Sequence, residues 1–131
     1  MTRPSDTDEL LTLTERLLES IGRRDWETYE QLCDPELTAF EPEARGVLVH
    51  GLAFHRFYFE QAAGSGPQHT TLCDPHVRLL GDVAVVSYIR LVQRLGEGGK
   101  PQTERFEETR VWHRRAGAWR HVHFHRSAGL P

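Results

Sequence analysis

Glu107-Glu108-Thr109-Arg110-Val111-Trp112-His113-Arg114-Arg115 runs into Ala116-Gly117-Ala118 and then Trp119, with His123-Phe124-His125-Arg126-Ser127 close behind. This reads as two long strands joined by a tight glycine turn, because β-branched and aromatic residues recur with period two on either side of the break. Working outward, strands are expected over Gln102 to Arg114 and Trp119 to Ser127, preceded by His69 to Leu79 and Val83 to Leu95. Gly81-Asp82 and Gly96-Glu97-Gly98-Gly99 supply the remaining breaks. The second half of the chain therefore predicts a meander of long antiparallel strands.

The first half changes period. From Asp6 to Arg24, Leu10, Leu13, Leu17, Leu18 and Ile21 recur at steps of three and four, with Ser5 or Asp6 as the cap and Gly22 near the end, which is an amphipathic helix. Asp25 caps a second, shorter helix carrying Trp26, Tyr29 and Leu32, and Asp34-Pro35 stops it because proline disfavours a helical residue before it. Leu37 to Phe40 and Val47 to Val49 are short enough for strands, Gly51 to Ala62 returns to helix with an aromatic face, and Gly64-Ser65-Gly66-Pro67 ends that helix. Helices first and hairpin-linked strands later give the α+β class, with a strongly curved antiparallel sheet wrapping the N-terminal helices. One domain is expected over residues 1–131, with residues 1–7 flexible.

Sixteen Lys plus Arg against nineteen Asp plus Glu leave a net charge of -3, which offers no overall attraction to nucleic acid or to an anionic membrane. No apolar run approaches the about 20 residues that cross a bilayer, and Met1 to Glu9 lacks the apolar core of a signal peptide, so a cytoplasmic protein is expected. Cys33 and Cys73 have neither CxxC spacing nor a second pair; they fit a reducing compartment better than a disulfide framework or a zinc site.

Three arginines stand out by period-two placement. Arg90 shares a strand face with Ala84, Val86, Tyr88 and Val92; Arg110 shares one with Phe106 and Trp112; Arg126 shares one with Val122 and Phe124. A guanidinium cannot shed its proton at ordinary pH, so a core-like position demands a carboxylate, a phosphate or open water beside it. Two readings meet that demand: a concave site for a small carboxylate or acidic side chain, or buried ion pairs of Arg110 with Glu108 and of Arg90 and Arg126 with Glu41 or Glu60. His121, His123 and His125 suggest a metal, but alternate strand residues are about 6.6 Å apart and the outer two about 13 Å, too far to share one zinc at roughly 2.1 Å. No metal is expected, and period two sends these histidines outward with Trp119.

The quoted segments, with Thr38-Ala39-Phe40-Glu41-Pro42-Glu43, Phe54-His55-Arg56-Phe57-Tyr58-Phe59-Glu60, His69-Thr70-Thr71, Asp74-Pro75-His76 and Tyr88-Ile89-Arg90, resemble the association (hub) domain of the calcium/calmodulin-dependent protein kinase II family over residues 8–129. The resemblance implies the cone-shaped fold of nuclear transport factor 2-like (SnoaL-like) proteins. It implies homo-oligomerisation into a ring of twelve or fourteen subunits, with a dimer as the lesser assembly. It also implies a ligand pocket lined by Arg90, Arg110, Arg126, His55 and Tyr58. Trp112, Trp119 and Phe57-Tyr58-Phe59 are candidate aromatics for the assembly surface. No cofactor is implied.

The sequence departs from the family at Arg45 to His50, at Ala62-Ala63-Gly64 and at Gly96 to Gly99. The Gly-rich loop, HRD and DFG motifs of a kinase are absent from these 131 residues, so any kinase partner is expected to be encoded elsewhere. The competing function is a small-molecule isomerase, dehydratase, hydrolase or polyketide cyclase in the same conical cavity, using Glu41, His55 and Tyr58. Fixed positive charge nearby would keep a carboxylate ionised, which favours anion binding over general-acid work.

Overall fold

The structure is a computed structural model that describes residues 5–61 and 68–128. Helix α1 spans Asp6–Arg23 and α2 spans Trp26–Leu32; strand β1 covers Cys33–Phe40, and a 3-10 turn at Pro42–Ala44 leads to β2, Val49–His50. Helix α3 is Ala53–Glu60, followed by the long strands β3, Gln68–Leu80; β4, Val83–Leu95; β5, Pro101–Arg115; and β6, Ala118–Ala128. The expected end of the third helix, through Ala62 and Gly64 to Pro67, lies outside the described residues.

Local chemistry sets the helix ends. Ser5 Oγ accepts from the Asp8 amide at 3.1 Å, and Asp6, Asp8 and Glu9 put negative charge on the first turn, where the helix dipole favours it. Of the stretch 1–7 expected to be flexible, Ser5 is therefore the cap and Asp6 and Thr7 lie within α1; residues 1–4 are outside the description. Arg24 closes α1 in the left-handed conformation, φ 57°, and frees Asp25 to cap α2 through the Thr28 amide at 3.2 Å.

The six strands form one sheet in the order β2-β1-β6-β5-β4-β3. The β3 to β6 meander is antiparallel throughout. Beyond a simple meander, β1 pairs in parallel with β6, so the first strand closes beside the last. Leu10, Leu17, Leu18, Tyr29 and Leu32 of the helices pack with Leu37, Ala39, Ala84, Val86, Tyr88, Trp112, Trp119 and Phe124 of the sheet as one buried core.

Two bulges re-aim side chains. In β3, pairing slips between Cys73 and His76, where Asp74 takes φ 51° ahead of Pro75. In β6, Val111 pairs with His123 but Trp112 pairs with His121, leaving Val122 as the extra residue. A bulge reverses the alternation, so strict period two fails here. Trp119 and His121 are buried with Phe124, whereas His123 is half-buried and His125 exposed. The expectation that Trp119 and all three histidines face outward is corrected accordingly, as is the grouping of Val122 with Phe124 and Arg126. Trp112 and Trp119 are core residues, not assembly aromatics; Phe57 and Tyr58 remain exposed at 58% and 47%.

Candidate functional site

A cavity of about 360 Å³ lies against the inner face of the sheet. Its wall brings together the five residues singled out as ligand-binding: Arg90 from β4, Arg110 from β5, Arg126 from β6, and His55 and Tyr58 from α3. Glu41 and Glu43 follow β1 along the same wall, and Tyr29, Phe59, Phe106 and Phe124 supply aromatic surface.

The arginines are not bare. Arg110 donates from Nη2 to Glu108 Oε1 at 3.0 Å and from Nε to the Tyr88 hydroxyl at 2.8 Å, while Arg90 donates from Nη1 to Glu108 Oε2 at 3.2 Å. Tyr88 donates its own hydroxyl to Glu108 Oε1 at 2.5 Å. One fully buried carboxylate thus serves two guanidiniums. Arg126 pairs with Glu43 and lies 3.8 Å from Glu41. The ion-pair reading holds for Arg110 with Glu108 and for Arg126 with Glu41; Arg90 takes Glu108, and Glu60 pairs with Arg56 at 2.8 Å on the exposed side of α3.

Burial alone would raise the Glu108 carboxyl, but the Arg110 and Arg90 charges and the Tyr88 hydroxyl outweigh it and hold it down at about 2. Burial pulls Arg90 below its usual value, opposed by Glu108. Burial also opposes the charge on Arg110, but Tyr88 and Glu108 lift it above the ordinary arginine value. Arg90 Nε is buried and has no hydrogen-bond partner, an unsatisfied donor behind the cavity wall.

Behind Arg110 sits a residue that period two had aimed at solvent. His121 Nε2 lies 3.4 Å from Arg110 Nη1, and its Nδ1 lies 3.4 Å from Cys33 Sγ. Burial, reinforced by the Arg110 charge, holds His121 well below the usual histidine value, so the ring is neutral. Arginine can only donate, so Nε2 is the accepting nitrogen and the proton resides on Nδ1, facing the thiol. Burial pushes the Cys33 thiol up to about 12, which makes it a packing residue and not a nucleophile.

His55 Nε2 meets Glu41 Oε1 at 2.8 Å, and both side chains are buried. The ring is enclosed by Phe54, Tyr29 and Phe124 with centroids 5.5, 6.1 and 5.3 Å away, and its Nδ1 has no partner. Glu41 and His55 are therefore adjacent as the enzyme reading requires, while Tyr58 stands half-exposed against Phe54. Among the described residues no group of three His, Cys, Asp or Glu side chains could hold a metal ion, and no helix is long and apolar enough to cross a membrane.

Residues 6–129 match the model of the calcium/calmodulin dependent protein kinase II association domain. The delta subunit of calcium/calmodulin-dependent protein kinase type II from Oryctolagus cuniculus is 55% identical over 126 residues. That match covers 94% of this chain but 24% of the rabbit protein, so the chain spans about a quarter of that relative's length. The CaMKII hub homology domain of C. reinhardtii superposes with a TM-score of 0.90 at 46% identity, covering 96% of this chain and all of that one. A nuclear transport factor 2-like superfamily protein from Salmonella enterica superposes at 0.77 with 23% identity over 94% of this chain and 90% of that one, a likeness of fold alone.

Proposed function

The chain belongs to the calcium/calmodulin dependent protein kinase II association-domain family, and on that premise we propose that it is a homo-oligomerising hub whose copies meet through the outer face of the sheet. The observation that carries this reading is the composition of β4. Its inward residues, Ala84, Val86, Tyr88, Arg90 and Val92, are buried, while outward Val83, Val85, Ser87, Ile89 and Leu91 are half-exposed, and all of these but Ser87 are apolar. An antiparallel sheet with one wet face alternates apolar with polar; a central strand apolar on both sides is built to be covered on both. Val111 of β5 extends the apolar stripe, pairing with Val85.

The face is large enough to hold a partner. Four strands at about 4.8 Å spacing, paired over about eight residues at roughly 3.4 Å each, span on the order of 500 Å² in plan. Corrugation by side chains brings this near the ~800 Å² per partner of a stable interface. Native mass spectrometry reads the assembly directly: a ring of twelve or fourteen copies is the expected result, and a monomer at micromolar concentration sinks the reading.

The cavity adds a second activity, binding of a small carboxylate or an acidic segment. Arg126 supports it, because its guanidinium lines the cavity, keeps part of its surface accessible and can offer a charge-assisted pair to an incoming carboxylate. Calorimetric titration with butyrate and succinate tests it, and heats no larger than those of an uncharged amide of the same size would remove it.

A further inference from the structure

The outer face that the hub reading assigns to assembly carries an unusual concentration of histidine. Strand register defines two rows across it. One runs Arg78, Val85, Val111, His123, Thr38 and His50; the next runs His76, Ser87, Thr109, His125 and Phe40. His50, His76 and His125 are exposed and His123 is half-buried. His113 lies one register further along β5, opposite Val83. Only His55 and His121 of the chain's eight histidines are fully buried on the inner side.

We propose that copies of this chain dock through the outer face, across which His50, His76, His123 and His125 are spread, and that the contact holds only while those rings are uncharged. This rests on the hub reading above and deepens it by naming the chemistry of the contact.

The charge on the face explains why. Asp74 and Arg78 come from β3, Arg105, Glu107 and Arg115 from β5, exposed Glu36 and Arg120 from β1 and β6, and Asp34 of β1 pairs with Arg115; β4 contributes no charge on this side. Four acids oppose four arginines, so the face is close to neutral when the histidines are neutral. Protonating the three exposed rings adds three positive charges to each copy, and a self-complementary contact brings two such faces together. Apposed like charges cost several kcal/mol and must shed water to meet. Asp74 and Glu107 are too few to compensate. Burial and the neighbouring His125 charge hold His123 below the ordinary histidine value. Its Nδ1 also sits 2.7 Å from Thr38 Oγ1.

The test compares subunit number by native mass spectrometry and light scattering at pH 7.5 and 5.5, with circular dichroism confirming that the fold survives the lower pH. The expected result is a large assembly at pH 7.5 and folded small species at pH 5.5, the dissociation constant rising at least about tenfold. The triple variant His50→Gln, His76→Gln, His125→Gln replaces the three exposed rings with neutral amides and is expected to stay assembled at pH 5.5. An assembly equally tight at both pH values, or a triple variant that dissociates as the natural chain does, overturns the proposal and leaves the hub reading standing. A monomer at pH 7.5 overturns both.

Discussion

Tyr88 stands two residues from Arg90 on the inner face of β4, yet its hydroxyl serves the arginine of the next strand: it accepts from Arg110 Nε at 2.8 Å while donating to Glu108 at 2.5 Å. A hydroxyl both donates and accepts, so it completes a ring of three side chains that no purely apolar core residue could close. Tyr88→Phe keeps the ring volume and removes only the oxygen, leaving a buried guanidinium and a buried carboxylate each short of one partner. A loss of about 1–3 kcal/mol is expected, read as a lowered midpoint in urea with an unchanged m-value.

Glu108 is the more severe position. It is the sole carboxylate within bonding distance of both Arg90 and Arg110 among the described residues, and its side chain is fully buried. Glu108→Gln retains the shape and strands two guanidiniums, for which a destabilisation of about 3–5 kcal/mol is expected. Urea unfolding at pH 7 measures it, and a loss under 1 kcal/mol would show that the arginines find other partners.

The same carboxylate sets an acid limb. Its folded value of about 2 lies below the ordinary 4.5, so the unfolded chain binds the proton more readily. The stability it supplies is complete above the unfolded value and drains away as pH falls from about 4.5 towards 2. A stability profile of the natural chain should therefore steepen in that window, on the order of 3 kcal/mol in all, and the Glu108→Gln profile should lack that portion.

His121 acts at higher pH and with the same direction. Its folded value is depressed by burial and Arg110, so the unfolded chain takes up the proton first, and stability falls as pH drops below the ordinary histidine value of about 6.5. In nitrogen-resolved NMR the His121 ring should show no titration between pH 8 and 5.5 and should carry its proton on Nδ1. A ring that titrates normally would contradict the hydrogen bond from Arg110.

How far the sequence alone reached is visible in these residues. Period two placed Arg90 and Tyr88 on one face correctly because β4 runs without a break from Val83 to Leu95, each residue registered against β5. Reading β6 the same way misplaced Trp119 and His121, since the extra residue at Val122 reverses the alternation and a bulge leaves no mark in hydrophobic pattern. The cap at Asp25 and the stop before Pro35 were legible because both act through bonds within a few residues. The Arg90–Glu108 pair crosses from β4 to β5, and the parallel closure of β1 on β6 crosses nearly the whole chain; neither has a local signature. Of the five cavity residues, period two singled out Arg90, Arg110 and Arg126 and the resemblance supplied His55 and Tyr58, whereas Tyr88 could have been found from the rule that a tyrosine beside an arginine on an apolar face needs a polar partner.

Arg126 offers the cleanest separation of binding from folding. It lines the cavity yet, among the described residues, is bound only by Glu43 and, at 3.8 Å, by Glu41, and its guanidinium rests 4.9 Å over the Phe106 ring. Glu43 and Glu41 both keep other routes to satisfaction, through solvent and through His55 respectively. Arg126→Gln should then cost only about 1 kcal/mol of stability. If the cavity takes a carboxylate, the same change should weaken butyrate or succinate binding about tenfold or more, since a lost charge-assisted pair is worth roughly 1.5–3 kcal/mol. Calorimetry on the natural chain and the variant, beside their urea curves, decides the matter. Equal affinity in the two chains would mean that Arg126 serves only to tie the turn at Pro42–Ala44 to β6.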